Sequence, residues 1–254
     1  MTAFDRFGVT ERHLRETLAA ALSRGGEFAD VYFQHRVGSD LGLEDGAVNR
    51  AYASVELGVG VRVVKGDQTG YGYTEDLSLP ALLECARTAA AIADGPARPG
   101  PVGFHVRADL PSRYPLVRPW EDVRPEEKLP LLVDLEARAF AADPRVRKVN
   151  VHLRSEAGTV LMADSTGRIA EDRQPMTLLS VSVLAEDGGR REQNGYNVAA
   201  RAGFDFYTPE RLARVVPAAF PSSSTLMAPR APTPAASSTM LTKGRAMALP
   251  ILSA

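Results

Sequence analysis

The sequence predicts an α+β fold of two small units, each a mostly antiparallel sheet with flanking helices, followed by a disordered carboxy-terminal tail. Apolar residues recur at every second position in several short segments, which is the spacing of a half-buried strand. These segments follow one another with turn dipeptides between them, and the helical patterns lie before and after them. A Pro- and Gly-rich segment at residues 94–103 separates the two units.

The clearest strand pattern lies in the segment Glu56–Ser78 and just before it. Five apolar residues alternate there with other residues, and these are Val55, Leu57, Val59, Val61 and Val63. Residues 65–68 form a polar turn in which Gly66 can adopt a positive φ. Residues 69–74 then give a second strand-like run, so this segment predicts a β-hairpin.

The rest of the first unit, residues 1–93, contributes two helices and further strands. A helix begins after Thr10 and ends at the Gly25-Gly26 pair. Strands follow at 30–37, 40–44 and 47–52, with the turn dipeptide Asp45-Gly46 before the last of them. A second helix covers 78–93, with Ser78 as its cap and Pro80 in its first turn, where the missing N–H costs nothing.

Residues 94–120 are predicted to be a linker, and residues 125–142 a third helix. The helix is expected to turn Leu129, Leu132, Leu135 and Phe140 inward. Pro130 does not fit this helix, because an interior proline removes a hydrogen bond at a cost of about 3 kcal/mol.

The second unit, residues 121–216, returns to strands after this helix. Strands are predicted at 146–155, 159–164, 168–171, 177–185 and 190–194, with turns at 156–158, 165–167 and 187–189. Ser180 and Ser182 alternate with valines, which indicates that one face of that strand contacts solvent or lies against a polar cavity. A brief helix opens at Thr208 and runs to Val216.

The bulk composition of the 254 residues excludes several classes of protein. Thirty basic and 31 acidic residues leave a net charge of −1, which gives no electrostatic basis for binding nucleic acid or an anionic membrane. Cys85 is the only cysteine, so no intramolecular disulfide can form. The amino terminus lacks the layout of a signal peptide and no apolar run is long enough to span a bilayer. We expect a cytoplasmic protein.

Several motifs, taken together and in this order, resemble the amino-terminal half of the TldD/PmbA family of bacterial zinc metallopeptidases. The resemblance covers about residues 4–216 and is nearer to the TldD branch than to PmbA. The segments that carry it are Asp30–Gln34, Leu43–Gly46, Gly58–Arg62, Lys65–Gly70, Arg124–Leu129, Leu179–Leu184 and Asp187–Glu192. The net charge gives no support to the family's old association with DNA gyrase as direct DNA binding. Residues 194–197 (NGYN) stand where many relatives are glycine-rich.

The resemblance implies proteolysis of small or unfolded peptides at a zinc site, built from an HExxxH helix and a cysteine in the carboxy-terminal half of the family. That motif is absent from this sequence. The four histidines, which are never three or four residues apart, are His13, His35, His105 and His152. We therefore expect no catalytic residue, no metal ligand and no cofactor in this chain, and a small core residue at Cys85.

Three residues of the first hairpin remain as candidates for contact with a substrate or a partner. Gly58 and Gly60 interrupt a strand, which indicates a bulge, tight packing, or a substrate chain lying alongside. Arg62 follows them on the face opposite to Val61. It is either an exposed strand arginine in a weak ion pair, with Glu44 and Glu56 as possible partners, or a fork that binds the carboxylate of a peptide terminus.

Two functional hypotheses follow. The chain is either a fragment of a TldD-like peptidase, or a binding module that supplies subunit contacts and walls of a substrate chamber without catalysis. The absence of a ligand set favours the second. Since relatives are thought to act as dimers, the resemblance implies a homodimer or a TldD/PmbA-type heterodimer, with a peptide as the substrate of the whole protein.

The last 44 residues, 211–254, contain none of the 31 acidic residues and are rich in Pro, Ser, Thr and Ala. Such a composition predicts disorder from residue 217 onward. The resemblance also ends near Val216. One hypothesis is a reading-frame shift, because codons for residues 237–244 read two nucleotides along can spell an Asp/Glu-Gly segment that resembles one further on in the family. The alternative is a divergent tail.

Overall fold

A computed structural model describes residues 2–106, 114 and 116–220. Its helices are α1 Ala3–Phe7, α2 Glu11–Ala21, α3 Leu79–Ala90, α4 Pro125–Ala142 and α5 Pro209–Ala219. Its strands are β1 Phe28–Glu44, β2 Ala47–Lys65, β3 Gln68–Thr74, β4 His105–Val106, β5 Val146–Asp164, β6 Arg168–Asp187 and β7 Arg190–Ala200. Within the described residues, no helix is long and apolar enough to cross a membrane.

The strands form one sheet in the order β3-β2-β1-β5-β6-β4, with β7 also paired to β6. All neighbours are antiparallel except β4 and β6, which are parallel. The predicted α+β fold with a mostly antiparallel sheet and flanking helices is therefore confirmed. The two units share this sheet, because β1 of the first pairs with β5 of the second from Asp30↔Asp164 to Glu44↔Asn150.

Several strands are longer than the sequence pattern predicted. The expected turn at residues 156–158 is wrong, because β5 runs through it without interruption. Ala157 pairs there with Val37 on one side and with Pro175 on the other. A central strand has ladder partners on both sides, and these satisfy the backbone groups of a sequence that reads locally as a turn. Likewise β6 bridges the predicted gap at 172–176, and β7 extends to Ala200.

The helices cover only one face of the sheet. The strands give odd-numbered residues of β1, β2, β5 and β6 to two buried clusters, and paired residues lie on the same face. The first cluster joins α1, α2 and α3 to Val31, Phe33 and Val61. The second joins α4 and α5 to Leu43, Val151 and further strand residues. The opposite side, which carries the even-numbered residues of these strands, is the open face.

The turns and helix starts follow from local chemistry. Asp45 and Gly46, with φ of 50° and 79°, close the β1–β2 hairpin as predicted, and Gly66 with φ of 58° closes β2–β3. Thr10 caps α2 by accepting a hydrogen bond from the backbone N–H of His13. The His13 ring in turn accepts one from the backbone N–H of Thr10 at 3.2 Å.

Helix α4 has the predicted bounds, and its predicted inner face is right at Leu132 and Leu135 but wrong at Leu129 and Phe140. Its buried side chains are Lys128, Leu132, Leu135, Glu136 and Ala139, whereas Leu129 is only partly buried and Phe140 is 37% exposed. Pro130 lies inside the helix and is exposed. Helix α5 continues to Ala219, three residues beyond its predicted end, and Ala219 is buried. The disorder predicted from residue 217 is therefore wrong at residues 217–219, and the part of that prediction from residue 221 onward, with the frameshift segment, lies outside the described residues.

Candidate functional site on the open face of the sheet

The three candidate contact residues lie together on β2, between β1 and β3. Gly58, Gly60 and Arg62 have the parity of the open face, and their β1 partners are Gln34, Tyr32 and Asp30. On the other side, Gly60 pairs with Tyr73, and Arg62 pairs with Tyr71. The sequence therefore places these residues side by side on the surface that no helix covers.

The two glycines leave room for tyrosine rings from β3. A Cβ atom added to Gly58 would lie 2.7 Å from Cε2 of Tyr73, and one added to Gly60 would lie 2.8 Å from Cζ of Tyr71. Each ring thus lies across a glycine of the neighbouring strand. Tyr71 and Tyr73 are nevertheless 63% and 58% exposed.

Arg62 forms an ion pair within the sheet. Its Nε and Nη2 atoms donate to the same oxygen, Oδ2 of Asp30, at 2.9 and 2.5 Å. The expected partners Glu44 and Glu56 are wrong: Glu44 pairs with Lys148, and Glu56 lies near Arg36. The Arg62 side chain stays 50% exposed, so part of its guanidinium can still donate to a ligand.

Tyr71, Tyr73, Gly58, Gly60 and Arg62 are called the tyrosine–arginine patch below. Desolvation and the charge of nearby Glu75 raise the pKa of Tyr73 above its ordinary value. The patch offers two flat apolar rings with hydroxyl groups and one cation. Such a surface can bind an extended polypeptide, with aromatic contact area and hydrogen bonds, but it contains no nucleophile or general base for hydrolysis.

A second polar group lies on the open face around Asp40. Its Oδ2 accepts hydrogen bonds from Arg154 at 3.0 Å and from Arg50 at 3.3 Å. Its Oδ1 is buried without a hydrogen-bond partner, and Nδ1 of His152 lies 3.8 Å from it. This arrangement ties β1 to its two neighbouring strands.

The histidines are dispersed over the molecule. His13 is in the cap of α2, His35 contacts Arg6, His152 lies near Asp40, and His105 is on β4. Burial and the charge of Arg6 lower the pKa of His35. In the part of the chain that the structure describes, no group of three His, Cys, Asp or Glu side chains could hold a metal ion. These residues do not fit the zinc site that the resemblance implies.

Two buried polar side chains lie away from the patch. Cys85 is buried on α3 as expected, and burial raises the pKa of its thiol. Lys128, which the sequence reading missed, is only 3% exposed. Its Nζ donates to Ser155 at 3.1 Å and to Ser39 at 3.2 Å, and it lies 5.4 Å from the ring centre of Trp120. Its helical spacing with Leu132 and Leu135 was the available signal.

Two family models match this chain. The model described as PmbA/TldA metallopeptidase domain 1 matches residues 29–93, and the model of the PmbA/TldA metallopeptidase central domain matches residues 118–218. The first matched region contains the whole tyrosine–arginine patch. The second contains α4 and strands β5, β6 and β7.

Similar curated proteins are named metalloprotease TldD homologs. The protein from Haemophilus influenzae is 35% identical over 188 residues, which are 72% of this chain and 38% of that protein. One from Buchnera aphidicola is 30% identical over 185 residues, covering 71% and 37%. The chain thus spans less than two fifths of the length of these relatives.

Solved structures share the fold at lower identity. A protein of Thermotoga maritima described as a modulator of DNA gyrase has a TM-score of 0.62 and 18% identity, over 85% of this chain and 47% of its own. TldE from Thermococcus kodakarensis has a TM-score of 0.53 and 14% identity, over 82% and 46%. Because the two family models match most of the described residues in consecutive order, this chain belongs to the PmbA/TldD metallopeptidase family.

Proposed function

We propose that this chain is a non-catalytic amino-terminal part of a TldD-like metallopeptidase. In this role it supplies subunit contacts and part of the wall of a chamber for small or unfolded peptides. The main support is that it matches the first and central domains of the family but less than two fifths of the length of the metalloprotease relatives. The single buried cysteine suits a reducing compartment, so we place the protein in the cytoplasm.

The zinc chemistry belongs, in this proposal, to residues outside this chain. The 254 residues contain no His-Glu pair, which an HExxxH motif requires. A hydrolytic zinc ion normally needs three protein ligands and a water molecule. Since the described residues offer no such set, we assign them no step of the hydrolysis.

The tyrosine–arginine patch is the surface we assign to the substrate. Exposed tyrosines bind extended chains with little loss of side-chain entropy, because each has only two rotatable angles. The exposed part of the Arg62 guanidinium, held in place by Asp30, can bind a peptide carboxylate. The patch therefore suits peptides with a carboxylate, either the carboxy terminus or an acidic side chain, close to an aromatic or apolar residue.

Two measurements on the purified chain test the non-catalytic role. We expect less than stoichiometric zinc after mild chelation and no cleavage of a casein-type substrate, because the chain lacks a ligand set. Metal analysis by mass spectrometry and a fluorescent casein assay give the answers. One zinc ion per chain together with cleavage would overturn the proposal.

Peptide binding tests the patch separately. Fluorescence anisotropy of labelled, unstructured peptides with free and amidated carboxy termini reports affinity. We expect Tyr71→Ser and Tyr73→Ser each to weaken binding of both peptides about fivefold, since stacking contacts are worth on the order of 1 kcal/mol each. Arg62→Gln should remove the preference for the free carboxylate. Val133→Ser, which changes an exposed side chain of α4, is the control. Equal binding by all variants would exclude the patch.

A further inference from the structure

The outer edge of β2 has no strand partner among the described residues along nearly two thirds of its length. Strand β3 pairs with β2 only from Val59 to Lys65. At the other end, the turn at Asp45-Gly46 precedes the first residue of β2. Residues 47–58 therefore pair with β1 on one side and have no strand partner among the described residues on the other.

This free edge carries apolar side chains on both faces, and its only charged residues are Arg50 and Glu56. Its exposed apolar side chains are Val48 at 46%, Tyr52 at 63%, Val55 at 68% and Leu57 at 37%. It contains no proline and no lysine, and its only pairing irregularity is at its start, opposite Gly42/Leu43. Proteins usually shield such an edge, because its N–H and C=O groups form a template for another strand.

We propose that the free edge of β2 pairs antiparallel with the same edge of a second copy of this chain, with Ala53 on the two-fold axis. The pairing extends the sheet across two subunits and buries the four apolar side chains. It rests on the subunit-contact role proposed above and specifies the surface that performs it.

The register follows from symmetry and from the length of the edge. A two-fold axis makes an isologous contact, in which residue i faces j and residue j faces i. Opposite residues of an antiparallel pair share a face, so the axis passes through a residue. Among residues 47–58, a centre on Tyr52 pairs residues 47–57 and a centre on Ala53 pairs residues 48–58, and any other centre pairs fewer.

Charge selects between these two registers. With Ala53 at the centre, Arg50 of each copy faces Glu56 of the other, and Ala51 faces Val55. With Tyr52 at the centre, Arg50 faces Ser54 and Glu56 faces Val48, so neither charge has a partner across the edge. Oppositely charged cross-strand neighbours are stabilising, which favours the Ala53 register.

Both charged side chains are accessible for this contact. Arg50 and Glu56 are 53% and 63% exposed, although each has a partner within the chain. Arg50 lies 3.3 Å from Asp40, and Glu56 lies 3.7 Å from Arg36. The contact of Glu56 with Arg36 is long and exposed, so it is weak. Arg50 uses Nη1 to bind Asp40, and the rest of its exposed guanidinium can still donate to the second copy.

Charge reversal tests the register. Analytical ultracentrifugation of the wild-type chain should show a dimer. Arg50→Glu and Glu56→Arg should each raise the dimer dissociation constant at least tenfold, since each places like charges opposite one another twice. An equimolar mixture of the two variants should dimerise again, because every facing pair then has opposite charges. Arg138→Glu, a reversal of similar exposure on α4, should have no effect.

Each outcome decides the proposal. Recovery in the mixture also shows that both variants are folded. A wild-type monomer, or single variants that dimerise as the wild type does, would overturn the proposed pairing of two copies. The free edge of β2 would then be available to another polypeptide. These results are independent of zinc content and peptide cleavage, which test the non-catalytic role.

Discussion

Lys128 is buried in α4 and has no carboxylate partner among the described residues. Its ammonium group donates to the hydroxyl groups of Ser39 and Ser155, and it lies over the ring of Trp120. Burial lowers its pKa, because the charged form loses contact with water. The side chain links β1 of the first unit to β5 of the second, and the desolvation of its charge costs free energy of folding.

Replacing this lysine by an apolar residue of similar length should not harm the fold. We expect Lys128→Met to have a free energy of unfolding within about 1 kcal/mol of the wild type at pH 7, or higher, because buried charges are often replaced at no loss. The advantage of the variant should shrink as the pH rises. Above its lowered folded-state pKa, Lys128 loses its proton in the folded wild type first, so wild-type stability rises until about pH 10.4.

Urea unfolding of both proteins between pH 7 and pH 10 measures this difference. Lys128→Ala is the matched comparison, since it also leaves a cavity and should cost about 2–4 kcal/mol. A loss of more than about 3 kcal/mol in Lys128→Met would show that the bonds to the two serines outweigh the burial of the charge.

At the scale of elements, α3 packs against β3 with its backbone close to two glycines. A Cβ atom at Gly70 or Gly72 would overlap carbonyl oxygens of Ala89 or Cys85. These contacts are with helix backbone, which cannot move aside as a side chain can. They allow α3 to lie directly on the sheet.

Gly72→Ala should therefore destabilise the protein by about 2 kcal/mol or more, since overpacking typically costs 1–3 kcal/mol. Gly60→Ala is the matched control on the adjacent strand. Its new methyl group meets only the exposed ring of Tyr71, which can turn away, so we expect a loss below about 1 kcal/mol. Thermal unfolding followed by circular dichroism compares the two. Equal losses would show that the approach of α3 is not the limiting contact.

The elements were predictable where local chemistry decides them. Alternation and turn dipeptides predicted the β1–β2 and β2–β3 turns, and Pro125 predicted the start of α4. The continuity of β5 through Ala157 was not predictable, because it depends on partners that are far away in the sequence. The inner face of α4 was predicted at Leu132 and Leu135 but missed at Lys128 and Glu136, since a lysine and a glutamate were not expected to be buried.

The contact between Arg62 and Asp30 shows why the candidate site was only partly predictable. The tight turn pairs Glu44 with Ala47, and this register continued along the hairpin would place Arg62 opposite Ala29. An irregularity at Gly42/Leu43 shifts the pairing by one residue and brings Asp30 opposite Arg62. A one-residue shift of this kind has no marker in the sequence, so Glu44 and Glu56 were considered instead.

At the scale of the whole molecule, the two cores share strands. Leu18 of α2 is buried in the first cluster and Leu132 of α4 in the second, while β1, β5 and β6 pass through both. If these strands unfold in one cluster, the packing of the other cluster is disrupted as well. The described part of the chain should therefore unfold as one cooperative unit.

We expect Leu18→Ala and Leu132→Ala each to cost about 2–5 kcal/mol, the usual range for a leucine removed from a core. Each should shift a single thermal transition that fluorescence and circular dichroism report alike. Trp120, in the second cluster, is a probe remote from Leu18. A transition of Trp120 that is unchanged in Leu18→Ala would show that the two cores unfold separately.

The pairing of β1 with β5 also has a consequence for biosynthesis. The β1–β2 hairpin can form within microseconds once both strands have left the ribosome. Strand β5, which pairs with β1 on the other side of the hairpin, is synthesised much later. Asp30 pairs with Asp164, and Glu44 pairs with Asn150. At 5–20 residues per second, synthesis of the intervening chain of more than about 100 residues takes roughly 5–20 s. For that interval the nascent protein exposes the β1 edge of a long hairpin, so we expect its yield in cells to depend on chaperones that bind extended segments.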